Sequence, residues 1–193
     1  MLQFRDLTED EIDCRVQSVH KDGKGLVLLL YKDARVDQNI LDETVGAECW
    51  QREHYECKGN LFCRVGIKCG KTERAGNAPD LVLDRPEWVW KSDCGTESNT
   101  EAQKGEASDS FKRACFNWGI GRELYTAPFI WIPASKCNIT DGKRGKECRD
   151  NFIVEKIVIE NKTIVALSIL NASSKAEKLS ERRAFVWQKP KGE

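Results

Sequence analysis

The chain changes hydrophobic period several times, and each change marks an element. Leu26 to Tyr31 is an unbroken apolar run that reads as a buried strand. From Arg35 to Val45 the period lengthens: Val36, Ile40 and Leu41 share one helical face, and Gly46 supplies a stop. Three strand-like segments follow, Trp50 to Cys57, Leu61 to Ile67 and Glu87 to Cys94. The turn Lys58-Gly59-Asn60 joins the first two. In the third, alternation puts Trp88 and Trp90 on one face and Val89 and Lys91 on the other. Lys68 to Pro86, rich in Gly, Pro and charge, reads as a long hairpin loop or flap.

Two capping boxes predict helix starts. Thr8-Glu9-Asp10-Glu11 opens a helix running to about Val19, its acidic first turn complementing the helix dipole. Thr100-Glu101-Ala102-Gln103 opens a second helix that ends at Trp118, with Gly119 as its cap. Ala107, Phe111, Ala114, Cys115 and Trp118 form one apolar face of that helix. Lys104, Ser108 and Lys112 form a neighbouring polar stripe, and Arg113 lies alongside Lys112. Asp109 stands four residues before Arg113, the spacing of a helical ion pair.

Beyond the apolar run Pro128 to Pro133, residues Lys136 to Asp150 are polar and read as a linker. Phe152 to Ile159 and Thr163 to Leu170 then predict a hairpin turning at Glu160-Asn161-Lys162. A charged, partly helical stretch from Ser173 to Arg183 leads to Ala184-Phe185-Val186-Trp187. The expected domains are residues 1–132 and a linker with a small β appendage over 133–193.

Composition narrows the class. The 193 residues, 40% hydrophobic and 32% charged, suit a soluble globular protein. The longest apolar run is far shorter than the roughly 20 residues of a spanning helix, and Met1 to Asp6 turns acidic at once, unlike a secretory signal. A formal net charge of zero conceals a gradient: −5 over residues 1–50, zero over 51–100 and +5 over 101–193. Such asymmetry permits a basic stripe on one surface, or head-to-tail contacts between copies.

Nine cysteines with no secretory signal read as reduced thiols of a cytoplasmic protein. Cys49, His54, Cys57, Cys63 and Cys69 are the candidate zinc ligands, but no Cys-x-x-Cys pair brings two sulfurs onto one turn. There is no Gly-x-x-x-x-Gly-Lys-Ser/Thr loop for a nucleotide, no Gly-x-Gly-x-x-Gly and no His-Glu-x-x-His. Asp33 and Asp37, the carboxylates that would suit a magnesium nuclease, sit at a helix start where carboxylates are favoured anyway. The chain reads as a binding protein, not an enzyme, with no cofactor expected.

One stretch carries a resemblance. Glu87-Trp-Val-Trp-Lys-Ser-Asp-Cys-Gly-Thr-Glu-Ser is followed by Lys104-Gly-Glu-Ala-Ser-Asp-Ser-Phe-Lys-Arg-Ala-Cys-Phe-Asn-Trp-Gly-Ile-Gly. Together these resemble the single-strand annealing proteins of the Rad fifty-two and Rad twenty-two type, in the compact versions of phages and prophages. Tyr31-Lys-Asp-Ala-Arg-Val, Val45-Gly46 and Trp50 match the family's early strand, helix and approach to the sheet, so the resemblance spans about residues 5–132.

The resemblance implies an α+β fold: a three-stranded antiparallel β-sheet packed on a long α-helix, with an N-terminal helix and strand. It implies homo-oligomeric rings or helical filaments with single-stranded DNA in a basic groove, annealing without ATP in phage-type recombination. A single-strand binding protein or a phage exonuclease is the implied further partner, and no membrane is involved. Position by position, Lys112 and Arg113 match the family's basic helix pair and Arg35 its strand–helix turn. Lys32, Lys104 and Arg122 are neighbouring candidates. Where eukaryotic members place another basic residue after Lys-Arg-Ala, this chain has Cys115-Phe116, which implies either a less basic groove or a contact of Phe116 with a neighbouring copy or a base. The alternative is a non-annealing module, possibly zinc-binding, that binds nucleic acid or protein and modulates another DNA-processing protein.

Overall fold

The computed structural model describes residues 2–75, 78–95, 102–143 and 145–190, the side chains of 71–75, 78–86 and 102–104 excepted. In chain order the strands and helices are β1 (Asp13–Val19), β2 (Gly25–Tyr31), α1 (Ala34–Val45), β3 (Trp50–Cys57), β4 (Asn60–Ala75) and β5 (Ala78–Cys94). After them come α2 (Ala102–Trp118), β6 (Ile130–Pro133), β7 (Ile139–Gly142), β8 (Gly145–Cys148), β9 (Phe152–Glu160), β10 (Thr163–Asn171), α3 (Leu179–Arg182) and β11 (Arg183–Gln188). The protein is α+β, mostly antiparallel sheet with few helices. Among the described residues, no helix is long and apolar enough to cross a membrane.

The chain divides into two units, neither continuous in sequence: Met1–Arg5 with Ala34–Ile120, and Asp6–Asp33 with Gly121–Glu193. The first holds the three-stranded sheet β3-β4-β5. Its β3–β4 turn has Lys58 and Gly59 both at positive φ, 53° and 75°, with Cys57 directly opposite Asn60. That two-residue geometry matches the twist of the flanking strands. Cys63, Val65 and Ile67 on β4 and Phe111, Ala114 and Cys115 on α2 are at most 1% exposed and form the core where helix meets sheet.

The second unit is built on a six-stranded antiparallel sheet, ordered β11-β10-β9-β1-β2-β6, whose edge strands β11 and β6 approach each other. Leu26, Leu28, Ile130, Ile132, Ile164, Leu167 and Ile169 fill its interior. The β9–β10 turn is again a two-residue loop, with Asn161 and Lys162 at positive φ between paired Glu160 and Thr163. The hairpin β7–β8 forms a separate two-stranded sheet.

Several expectations are corrected. The box at Thr8 forms, with the Thr8 N–H donating to the Glu11 carboxylate at 2.9 Å, but it caps a single 3-10 turn, Glu9–Glu11. The expected N-terminal helix is strand β1. Its exposure alternates at Asp13, Cys14, Arg15 and Val16, and pairing with apolar β2 outweighs a helical period that Ile12, Val16 and Val19 also satisfy. The flap over Lys68 to Pro86 is a two-stranded continuation of β4 and β5, paired in register from Lys68↔Trp88 to Arg74↔Val82. Residues 136–150 carry β7 and β8 instead of a plain linker. The C-terminal strands are no small appendage: β9, β10 and β11 make half of the six-stranded sheet, joined to β1 through Asp13↔Ile153. The unit boundaries therefore differ from the division at residue 132. The second capping box lies largely outside the described residues.

Candidate nucleic-acid interface

Strand alternation sets the face of the three-stranded sheet that α2 covers. Arg52, Val65 and Lys91 stand in one cross-strand row, as do His54, Cys63 and Asp93. Trp50 on β3 stacks on Phe111 of α2 with ring centres 6.1 Å apart, and the Arg52 guanidinium lies 4.7 Å from the Phe111 centroid. The Lys91 ammonium lies 4.5 Å from the Trp118 ring and donates to the Asn117 carbonyl at 2.8 Å. Trp118 Nε1–H donates to the Val65 carbonyl at 3.0 Å, and Asn117 Nδ2–H to that of Ser92 at 3.0 Å. The helix is thus pinned along its length.

Its C-terminus is closed by two backbone bonds. The Gly119 N–H donates to the Phe116 carbonyl at 2.9 Å and the Ile120 N–H to the Cys115 carbonyl at 3.1 Å. Gly119 has φ +98°, a left-handed conformation that glycine adopts without strain.

With that face buried, Lys112 and Arg113 are left half-exposed on the flank and back of α2. Arg113 Nε donates to Asp109 at 2.8 Å across one helical turn, the pair expected from the spacing. Arg35 is exposed at the start of α1, and α1 packs against α2 within the same unit. Lys104 lies in the first turn of α2, and its side chain is outside the described residues. Lys32 and Arg122 belong to the other unit. Arg122 is exposed, whereas Lys32 is 1% exposed and offers a phosphate no open surface. The geometry therefore places Arg35, Lys112 and Arg113 on two touching helices.

Arg52 and Lys91 were not among the expected site residues. The alternation that placed Lys91 opposite the tryptophans was readable, but the row they share with Val65 depends on strand register. The opposite face of the sheet carries Tyr55 stacked on Phe62, and Arg64 over the Trp90 ring and bonded to Glu53. Gly66 leaves room for that indole: a Cβ there would meet the Trp90 ring at 2.8 Å.

The cysteines do not assemble a metal centre among the described residues, where no group of three or more His, Cys, Asp or Glu side chains converges. His54 Nε2 is 3.1 Å from the Ala107 carbonyl, and Cys63 is buried, its thiol pushed up to about 11 by desolvation.

An antiparallel sheet with a helix pinned to one face leaves Lys112 and Arg113 on the helix's remaining surface. The model of the Rad52/22 family double-strand break repair proteins matches residues 5–142, and the chain belongs to that family. No curated protein and no solved structure matches it.

Proposed function

We propose that this protein binds single-stranded DNA along Arg35, Lys112 and Arg113 and anneals complementary strands without ATP. The observation that carries the reading is the placement of Lys112 and Arg113. The family's basic helix pair stands on the part of α2 that the sheet does not cover, within a chain whose family match runs from residue 5 to 142. Annealing makes and breaks no covalent bond, so it needs neither a catalytic residue nor a cofactor. It needs a backbone grip that leaves base edges accessible, which Lys and Arg provide through counterion release without reading sequence.

A neutral subunit with few basic groups at the site binds weakly alone, and repetition multiplies that grip. The reading therefore includes homo-oligomerisation as a ring or helical filament, a role in phage-type recombination inside a bacterial cytoplasm, and hand-over with a single-strand binding protein or exonuclease. Mass photometry with and without a poly-dT oligonucleotide tests this. Large assemblies that take up DNA are expected. A monomer or dimer whose DNA binding is weak and insensitive to salt would replace this reading with the non-annealing module, which the Asp109–Arg113 pair favours by already occupying one of the cations.

A further inference from the structure

α2 covers one face of the three-stranded sheet, and strand register fixes what stands on the other. From end to end its cross-strand rows are Tyr55–Phe62–Cys94, Glu53–Arg64–Ser92, Gln51–Gly66–Trp90 and Lys68–Trp88. Every large apolar side chain in those rows is aromatic. At one end the Tyr55 and Phe62 rings stack, their centroids 5.6 Å and their planes 21° apart. At the other, Trp88 and Trp90 have centroids 6.1 Å apart and planes at 32°. Phe62 and Gly66 set the two ends about 13 Å apart along β4, at the ordinary rise of a strand.

Between the ends, the Arg64 guanidinium lies 4.6 Å from the Trp90 centroid. Glu53 fixes it there, one carboxylate oxygen accepting from Nη2 at 2.6 Å and from Nε at 3.0 Å. The indole rests where a Cβ at Gly66 would be. These groups hold one another in place before anything binds, which lowers the cost of binding.

The sheet is also sorted by charge. Alternation sends Glu56, Glu87 and Asp93 to the α2 side. Among the described side chains of the open rows, Glu53 is the one acid, and Arg64 already neutralises it. Lys68 is exposed opposite Trp88. An anionic polymer is therefore not repelled. With no Val, Leu, Ile or Met in these rows, the face has little to interdigitate with a protein surface and much to offer a planar ring.

We propose that this open face is a stacking platform for unpaired bases of single-stranded DNA, one at the Tyr55–Phe62 end and another at the Trp88–Trp90 end. Every base has a π-face, so such binding tolerates any sequence. Stacking uses the flat faces and leaves the pairing edges open, the form that annealing requires. The identity of the polymer rests on the annealing reading, but the site uses none of its residues. α2 separates this face from Lys112 and Arg113, so the two surfaces hold different nucleotides.

The test uses the full chain and two labelled oligonucleotides with equal numbers of phosphates, one poly-dT and one abasic, followed by fluorescence anisotropy over a salt series. The wild type should prefer poly-dT at least about fivefold, the worth of one stacked base, and keep that preference at high salt. Tyr55→Leu/Trp88→Leu, shown to be folded by circular dichroism, should bind the two alike. Lys112→Ala/Arg113→Ala should lose affinity for both and keep the preference. A wild type that binds both oligonucleotides equally overturns the platform and leaves the phosphate grip standing, whereas binding to neither overturns both. A folded Tyr55→Leu/Trp88→Leu that keeps the full preference also overturns it. So does one whose only change is a smaller assembly by mass photometry, which would assign the face to contacts between copies.

Discussion

Lys91 spans from β5 to the last turn of α2, its ammonium 2.8 Å from the Asn117 carbonyl and 4.5 Å from the centre of the Trp118 ring. A cation at a helix C-terminus meets the negative end of the dipole, and here it also covers an indole face. Lys91→Met keeps the aliphatic stem and removes both interactions. It should destabilise the unit by about 1–2 kcal/mol. Urea unfolding followed by tryptophan fluorescence checks this, and an unchanged midpoint would mean that packing alone holds the helix end.

Gly66 and Trp90 share one small space on the other face of the sheet. Gly66→Ala drives a methyl into the indole, because its Cβ would sit 2.8 Å from the ring. Overpacking of that kind should cost about 1–3 kcal/mol. Thermal unfolding of Gly66→Ala and of Gly66→Ala/Trp90→Leu separates the causes: the smaller side chain at 90 should recover much of the loss if the clash is real.

The Glu155 carboxylate, bonded by the Arg183 guanidinium at 2.6 Å and by the Ser168 hydroxyl, is held down to about 2 from the usual 4.5. A carboxylate with a lowered folded-state value stabilises the fold above its unfolded value, and that contribution is lost as pH falls toward 2. Between pH 5 and pH 2 the wild type should lose more thermal stability than Glu155→Gln, which has no such proton to gain. Parallel loss in both proteins would show that other carboxylates dominate the acid response.

Glu123 is fully buried, its Oε1 accepting the Leu7 N–H at 2.7 Å. Glu123→Ala strands that donor and should cost about 1–3 kcal/mol. Glu123→Gln, whose amide oxygen can replace Oε1, should cost less. Chemical denaturation of the two variants tests the order.

Local chemistry was legible and long-range pairing was not. Strand β3 begins and ends where the apolar pattern and the Lys58-Gly59 turn place it, and α1 stops at Gly46 as its spacing indicates. The Asp109–Arg113 pair and the apolar face of α2 follow from helical spacing alone. The segment before Val19 went astray because Ile12, Val16 and Val19 fit a helix as well as a strand, and the deciding partner, β2, lies outside any local window. The appendage reading failed for the same reason at longer range: Asp13 meets Ile153. At the site, Arg35, Lys112 and Arg113 were visible as residue types in a pattern. The Arg52–Val65–Lys91 row was not, because register is a tertiary fact.

If Lys112 and Arg113 grip phosphates, their removal should weaken DNA binding uniformly across sequences and flatten its salt dependence. Each lost phosphate contact should reduce the slope of log K against log salt by roughly 0.7, the value for a single strand. Fluorescence anisotropy of labelled poly-dT and of mixed-sequence oligonucleotides over a salt series measures this. A variant that loses affinity for one sequence only would instead point to base contacts.

The central claim is most directly tested by the rate at which two complementary dye-labelled oligonucleotides anneal in the absence of any nucleotide. The account predicts that the protein accelerates annealing, and that Lys112→Ala/Arg113→Ala, shown to be folded, loses at least about tenfold of that acceleration through its weakened phosphate grip. A wild type that leaves the spontaneous rate unchanged, or a folded double variant as fast as wild type, would contradict it.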